Sequence, residues 1–312
     1  MSSEQRARVD AILRWSRISG ESAGDRSIEA SRARFAAMMA QMIVPETIRI
    51  RKTMLGSRPA LQVDADAVGE GVGTILYFHG GGWVAGSPET ALSITGALVT
   101  RTGFRSYSVD YRLAPEHQFP AAIDDALSAY RVLLDDGHDP AGMAFVGDSA
   151  GGGLTVTTCL AARDQGLPLP AAIVAFSPAF DATGSGDSMD TRAGLDPIFT
   201  REYLQSIAAM YLGGEDPRQV LASPALLADL TGFPPMLLQV GGNEVLLDDS
   251  TRMAGRAAHA DVSVTLDITA DVPHVFQSFA GVLDEADEAL ERAAQFLTRH
   301  LRATGPVSPP ST

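Results

Sequence analysis

One serine of the chain stands between glycines in a setting that suits a nucleophile. Residues 147–151 read Gly-Asp-Ser-Ala-Gly, after the apolar run Met-Ala-Phe-Val and before a segment of helical composition. A serine on such a strand-to-helix turn is lifted clear of the sheet, and the flanking glycines allow the crowded backbone. The helix N-terminus also directs N–H groups and the positive end of its dipole toward developing negative charge. The pattern predicts Ser149 as a catalytic nucleophile.

Three successive glycines follow an earlier strand. The apolar run at 74–78 leads directly into His-Gly-Gly-Gly-Trp at 79–83. Three glycines lose much backbone entropy on folding, and a plain turn rarely needs so many. Their expected use is to bring backbone N–H groups close to a substrate oxygen, where each oxyanion donor is worth about 2–4 kcal/mol. A phosphate-binding loop fits less well, because the lysine of that motif and its spacing are missing.

A serine nucleophile needs a general base, and the chain has six histidines. His274 lies in the loop Asp-Val-Pro-His-Val-Phe, directly after the last predicted strand and at the sheet edge where Ser149 is expected. The sequence therefore predicts His274 as the base. Among the other histidines, His79 lies in the glycine loop and His138 in a turn. His259 and His300 lie in predicted helices, and His117 lies in a segment interpreted as structural.

The acid that orients the base is expected at the end of another strand. Residues 236–242 read Met-Leu-Leu-Gln-Val-Gly-Gly, and Glu244 is the first acid after them. Asp248 and Asp249 follow one turn later, where acids also occur as N-terminal residues of a helix. Glu244 is the preferred acid, and Asp248 stays open as the alternative.

Strands that alternate with helices would position these residues. Buried-type runs occur at 74–80, 104–110, 143–149, 171–178, 236–242 and 262–268, after two extended runs at 47–52 and 60–65. Helical segments are predicted at 89–102, 119–136, 150–165, 249–260 and 285–302. This alternation indicates an α/β fold with a mostly parallel sheet and helices on both faces.

Other segments fall outside that alternation. Two helices are predicted at 4–19 and 27–42, before any strand. A turn-rich insertion at 180–225 separates two strands by more residues than one crossover needs. The Pro/Ser-rich residues after Leu301 are expected to be disordered.

Composition limits the class of protein and its partners. The chain has 312 residues, of which 45% are hydrophobic and 20% charged, as in a globular protein rather than a disordered one. A net charge of −14 argues against a nucleic-acid partner. No apolar run approaches the roughly 18 residues of a membrane span, so a cytoplasmic location is expected. The single cysteine, Cys159, excludes an intramolecular disulfide and argues against a cysteine-based zinc site.

Five segments occur in a recognisable order between about residues 75 and 276. They are HGGGW (79–83), DYRLAPEHQFPAAIDD (110–125), GDSAGGGL (147–154), GGNEVLLDDS (241–250) and the loop around His274. This series resembles the bacterial hormone-sensitive-lipase-like family of α/β-hydrolases, and the chain order serine, acid, histidine agrees with it. Many relatives carry aspartate followed by Pro-Leu where this chain has Glu244, Val245 and Leu246.

The resemblance implies an α/β-hydrolase fold, with an eight-stranded, mostly parallel sheet and a helical cap. The cap would comprise N-terminal helices in 1–45 and an insertion near 180–225. That insertion would belong to a catalytic domain over 46–303, followed by a disordered tail over 304–312.

The resemblance also implies the finer parts of the site. The backbone N–H groups of Gly81, Gly82 and Ala150 would form an oxyanion hole, with His79 and Gly80 supporting the glycine loop. Asp148 would either tune the site or hold its turn by hydrogen bonds. No metal and no organic cofactor is expected. The segment 110–116 is interpreted as structural support for the glycine loop.

The expected function is hydrolysis of short-to-medium acyl esters through an acyl-enzyme on Ser149, with a small-molecule ester as the partner. The candidate pocket residues are Trp83, Phe35, Met38, Met42, Phe199, Tyr203 and Tyr211. A lactone hydrolase or another catabolic ester hydrolase is the main alternative, and an amidase uses the same residues. A non-catalytic binding protein, similar to the plant gibberellin receptor, is disfavoured because serine, acid and histidine are all present. The strand at 262–268 is a candidate edge for a homodimer.

Overall fold

The protein is built on one sheet of eight strands. The computed structural model describes residues 4–9, 11–13, 27–66 and 73–301. The tail predicted to be disordered, 304–312, lies outside the described residues, as do residues 10 and 14–19 of the predicted helix at 4–19. The strands are β1 (Ile48–Leu55), β2 (Arg58–Ala65), β3 (Thr74–Phe78), β4 (Arg105–Val109), β5 (Met143–Asp148), β6 (Ala172–Phe176), β7 (Met236–Gly241) and β8 (Val264–Thr269).

The strand order across the sheet is β1-β2-β4-β3-β5-β6-β7-β8. β2 is antiparallel to both of its neighbours, whereas every pair from β4 to β8 is parallel. The predicted α/β fold with an eight-stranded, mostly parallel sheet is confirmed. Because the parallel strands all point one way, the segments that follow β3, β5, β6, β7 and β8 meet at one edge of the sheet.

The helices alternate with these strands. They are α1 (Ile28–Met39), α2 (Leu92–Thr102), α3 (Ala121–Asp135), α4 (Ala150–Asp164), α5 (Ser188–Thr191), α6 (Arg201–Leu212), α7 (Pro224–Leu227), α8 (Leu247–His259) and α9 (Asp284–His300). Residues 4–9 and 11–13 are also helical. The helix predicted from residue 89 begins later, at Leu92, because Pro88–Ala91 forms a separate turn of 3₁₀ helix. No helix among the described residues combines the length and the apolar character needed to cross a bilayer.

The central strands are buried on both faces. Along β3, Ile75 and Tyr77 belong to one apolar cluster, while Leu76 and Phe78 belong to another. This alternation follows the two-residue period of a strand. The first cluster includes residues of α2 and α9, and the second includes residues of α3 and α4. Helices on both faces therefore hold the sheet rigid under its functional edge.

The insertion between β6 and β7 lies against the glycine loop that follows β3. The Thr200 hydroxyl caps the start of α6 by accepting from the Tyr203 N–H, and Gly213 follows the helix in a left-handed conformation. Ile207 of α6 lies so close to Gly82 that a Cβ on that glycine would be 2.8 Å from it. The division of the chain into a cap and a catalytic domain stays a prediction.

The N-terminal helix α1 is tied to the same region through Arg32. Its guanidinium forms two hydrogen bonds with the Glu116 carboxylate, at 2.6 and 2.7 Å. It also donates to the carbonyl oxygens of Val84, at 2.8 Å, and Ala114, at 3.0 Å. α1 is therefore fixed to the segment that follows the glycine loop.

Candidate active site

Ser149 occupies the sharp turn between β5 and α4. Its backbone has φ of +52°, a strained value for a residue with a side chain. The turn needs glycine on both sides, because a Cβ on Gly147 would lie 2.4 Å from the Gly151 carbonyl oxygen. A Cβ on Gly151 would in turn lie 2.0 Å from the Phe78 carbonyl oxygen. The pattern Gly-x-Ser-x-Gly is thus a steric requirement of this turn.

His274 lies beside that serine. Its Nε2 is 2.9 Å from the Ser149 Oγ, and its Nδ1 is 2.7 Å from the Glu244 Oε2. Because a carboxylate only accepts, Nδ1 carries the proton, which leaves Nε2 free to accept the serine proton. The next residue, Val275, has φ of +48°, an outlier for a β-branched residue, in the turn that presents the imidazole.

Glu244 is completely buried, and each of its carboxylate oxygens has a partner. Oε1 accepts from the Ser177 hydroxyl at 2.6 Å and from the Gly241 N–H at 2.5 Å, while Oε2 faces His274. Asp248 is used elsewhere, since its carboxylate accepts from the Ser188 N–H at 2.9 Å. The structure therefore brings Glu244, and not the alternative Asp248, to the histidine.

The charge state of His274 depends on its acidic neighbours. Burial is the largest influence and lowers the pKa, because it disfavours the imidazolium. The charge and the hydrogen bond of Glu244, together with the charges of Asp196 and Asp148, outweigh burial, so the pKa of His274 is raised above its ordinary value of 6.5. The site thus favours the protonated histidine that would form when the serine proton is taken up.

The glycine loop presents unused backbone donors near the serine. Gly81 and Gly82 have φ of +117° and +64°, which favour glycine. Among the described residues, the N–H groups of Gly81 and Gly82 have no protein acceptor. Ala150 is the first residue of α4, so its N–H has no acceptor within the helix. The three predicted oxyanion donors therefore have free N–H groups.

Asp148 joins the glycine loop to the serine turn. Its Oδ1 accepts from the Gly80 N–H at 3.0 Å and from the Tyr77 hydroxyl at 2.8 Å. Burial raises the pKa of Asp148 to about 6, against the opposing effect of these hydrogen bonds. Gly80 is consequently a structural member of the loop, because its N–H is already occupied.

The buried side chain of His79 supports the glycine loop. It is fully buried, its Nδ1 donates to the Gly80 carbonyl oxygen at 2.8 Å, and its ring stacks on Tyr111 at 4.1 Å between centroids. The Tyr111 hydroxyl donates to the His79 carbonyl oxygen at 2.6 Å, and the Ala114 N–H donates to the Trp83 carbonyl oxygen at 2.9 Å. Burial lowers the pKa of His79 to about 4, so the ring stays neutral. The segment after β4 holds the loop as a preformed unit.

The predicted pocket residues lie in separate parts of the structure, some beside the glycine loop and others beside His274. Trp83 stacks on Tyr211 at 4.3 Å between centroids, next to the glycine loop. Phe199 packs edge-on against the His274 ring at 4.7 Å, and it also stacks on Tyr203, whose side chain is half exposed.

The three residues predicted from the N-terminal helix are placed differently. Met42 is buried in a cluster with Val272 and Phe276, Phe35 packs against the main core, and Met38 is half-buried. A pocket role for these three residues stays a prediction. Among the described residues, no group of three or more histidine, cysteine or acidic side chains is arranged to hold a metal ion.

Sequence reasoning missed two polar residues of the site. Ser177 follows β6 with φ of +45°, and its hydroxyl both donates to Glu244 and accepts from the Val275 N–H at 3.0 Å. Asp196, in the insertion, accepts from the Val245 N–H at 3.0 Å. The position of Ser177 directly after a buried strand was the one available signal. Nothing local marks Asp196.

The fold and this arrangement of residues define the class of protein. Residues 75–278 match a family described by its alpha/beta hydrolase fold. The chain therefore belongs to the α/β-hydrolase family.

Named relatives and solved structures narrow the class. An acetyl-hydrolase of Streptomyces hygroscopicus is 43% identical over 224 residues, which cover 72% of this chain and 75% of that protein. An esterase of Acinetobacter venetianus is 35% identical over 256 residues, covering 81% and 82%. The crystal structure of an esterase from the bacterial hormone-sensitive lipase family is 39% identical with a TM-score of 0.92, covering 97% of this chain and 100% of that one. These likenesses confirm the predicted family and the activity, which is that of a carboxylic ester hydrolase.

Proposed function

We propose that Ser149 is the nucleophile of this ester hydrolase, His274 its general base and Glu244 the acid that orients the base. The observation that carries the proposal is the chain of two hydrogen bonds from the Ser149 Oγ through His274 to the Glu244 carboxylate, at 2.9 and 2.7 Å. The serine oxygen attacks the ester carbonyl carbon while Nε2 takes its proton. Glu244 keeps Nδ1 protonated and stabilises the imidazolium that results.

The oxyanion of the tetrahedral intermediate would lie against the N–H groups of Gly81, Gly82 and Ala150. His274 then gives its proton to the alkoxy oxygen, the alcohol leaves, and an acyl-enzyme remains on Ser149. Water attacks this ester with His274 again as the base, and the acid product is released. No step needs a reorganisation of the loop, because Asp148 and His79 already hold it.

We expect the acyl part of the substrate to be short. The stacked rings of Trp83 and Tyr211 stand beside the glycine loop, and these two residues are the candidates for limiting the length of the acyl chain. The name of the acetyl-hydrolase relative agrees with a small acyl group. In a series of p-nitrophenyl esters with acyl chains of about two to twelve carbons, kcat/KM should be highest at two to six carbons. Faster hydrolysis of long-chain triglyceride emulsions than of butyrate esters would contradict this proposal.

The activity should fall toward acid pH. His274 acts as a base only when neutral, and its pKa is raised above 6.5 by Glu244, Asp196 and Asp148 against the effect of burial. A plot of kcat/KM against pH reports ionisations of the free enzyme, so its acid limb should have a midpoint above 6.5. Below that midpoint the rate should drop about tenfold per pH unit. A rate that stays flat well below about pH 5 would remove His274 from the role of base.

Two expectations about the protein's surroundings stay predictions. β8 is the last strand of the sheet, and its Ile268 is exposed. The unpaired backbone groups of an edge strand are able to pair with a second chain, so a homodimer along β8 is the proposed assembly. The cytoplasmic location is likewise a proposal.

A further inference from the structure

The geometry of the reaction decides where each part of an ester must lie. The carbon attacked by Ser149 carries the former carbonyl oxygen, the acyl chain and the alkoxy oxygen of the alcohol. The carbonyl oxygen faces the N–H groups of Gly81 and Gly82. The alkoxy oxygen must lie near the His274 Nε2, since it receives its proton from there. The alcohol part of the ester therefore extends along the histidine, and the acyl chain extends away from it.

Phe199 is the aromatic residue that packs on that histidine. The two rings meet edge to face, with centroids 4.7 Å apart and planes at 71°. Phe199 also packs in a small apolar cluster with Met189, Val245 and Leu246. Phe199 is only partly buried, so part of its surface, next to His274, is accessible.

Asp196 fixes Phe199 in this place. Its Oδ1 accepts from the N–H groups of Ile198, at 2.8 Å, and Phe199, at 2.9 Å. Its Oδ2 accepts from the N–H of Val245, the residue after Glu244. One buried carboxylate thus joins the backbone of Phe199 to the loop of the catalytic acid. A ring held by satisfied hydrogen bonds is preorganised, so a ligand that packs on it loses little entropy of the protein.

Tyr203 continues the aromatic surface outward. It lies in the first turn of α6 and stacks on Phe199, with centroids 5.9 Å apart and planes at 19°. Its side chain is 52% exposed. Two rings stacked in nearly parallel planes, the outer one exposed, therefore extend from the protein surface to His274. Flat rings bind other aromatic rings better than saturated groups of the same size, because stacked and edge-to-face contacts add to area burial.

We propose that Phe199 and Tyr203 form the binding site for the alcohol part of the ester and select esters of aromatic alcohols. The inference rests on the proposed roles of Ser149 and His274, which fix the side on which the alcohol leaves. It assigns these two residues to the alcohol rather than to the acyl chain, for which Trp83 and Tyr211 stay the candidate residues.

The test compares benzyl acetate with cyclohexylmethyl acetate. Both esters have the same acyl group, alcohols of similar size and leaving groups of similar basicity, so they differ chiefly in the flat ring. The quantity measured is kcat/KM, which reports acylation, the step in which the alcohol is still bound. The wild-type ratio should favour benzyl acetate about three- to tenfold, and Phe199→Leu should bring it close to one.

Two further variants separate this effect from a general loss of structure. Phe296→Leu removes a ring that contacts His300 on α9, and it should leave the ratio unchanged. Tyr203→Leu alters an exposed side chain, so it should fold normally and lower the ratio by less than Phe199→Leu does. In Phe199→Leu the ratio of ethyl butyrate to ethyl acetate hydrolysis should stay at the wild-type value, because the acyl chain lies on the other side.

The outcomes distinguish the two proposals. If the wild type hydrolyses neither acetate and p-nitrophenyl butyrate is hydrolysed equally well by Ser149→Ala, the proposed ester hydrolysis at Ser149 fails; if it hydrolyses p-nitrophenyl butyrate through Ser149 but neither acetate, the aromatic alcohol site is wrong. If it hydrolyses both acetates with a ratio near one, the aromatic alcohol site is wrong and the triad is untouched. The alcohol site is also wrong if Phe199→Leu keeps the benzyl preference or changes the acyl-chain ratio instead.

Discussion

Replacing Ser149 with alanine should lower kcat for p-nitrophenyl butyrate by about 10⁶ without unfolding the protein. The hydroxyl of Ser149 is 2.9 Å from the His274 Nε2, and no other residue at this edge of the sheet offers an oxygen to that nitrogen among the described contacts. Alanine keeps the Cβ, so the strain of the turn at φ of +52° is unchanged. The loss should therefore be one of chemistry, with a melting temperature close to that of the wild type.

A matched control is available in Ser93 on α2. Its hydroxyl is buried without a hydrogen-bond partner among the described residues. Ser93→Ala should leave kcat unchanged and the melting temperature equal or slightly higher, because no hydrogen bond is lost. If Ser149→Ala retained more than about one hundredth of the wild-type kcat, the covalent mechanism on this residue would be wrong.

Local patterns were sufficient to predict the sheet and the nucleophile's surroundings. β3 and β6 are almost entirely apolar, and β5 and β7 are apolar except for Asp148 and Gln239, because strands covered on both faces carry no polar side. The glycines around Ser149 were also sufficient to predict the tight turn, since a side chain at Gly151 would collide with the backbone of β3. In each of these cases the physical constraint acts between residues that are close in sequence or on adjacent strands.

The parts that sequence alone left open depend on long-range contacts. Glu244 and Asp248 are both acids after β7, and only the three-dimensional structure shows that the second is bound to Ser188 of the insertion. Asp196 reaches the Val245 N–H across 49 positions of the chain, a separation that no local pattern encodes. Similarly, Met42 lies at helical spacing from Met38, yet it packs beside Val272 and Phe276. Helical periodicity identified an apolar face but not the partner that covers it.

The second large effect is expected from Glu244→Gln, which should lower kcat by about 10⁴. The position of Oε1 receives hydrogen bonds from the Ser177 hydroxyl and the Gly241 N–H, so the amide oxygen of a glutamine will settle there. Its NH₂ group must then face the His274 Nδ1 and donate to it. This places the histidine proton on Nε2, and that nitrogen can no longer accept the proton of Ser149.

Asp248→Asn is the matched control for that substitution. The change is the same, from carboxylate to amide, but Asp248 binds the Ser188 N–H and makes no described contact with His274. Its kcat should stay within about a factor of three of the wild type, which corresponds to a change of less than about 1 kcal/mol in the activation free energy. A large loss in Asp248→Asn with an active Glu244→Gln would move the role of the acid to Asp248.

Since Glu244 also raises the pKa of His274, residual activity in Glu244→Gln should extend to lower pH than in the wild type. That shift would separate a changed tautomer and charge from a loss of packing, because packing alone leaves the ionisation of the base where it was.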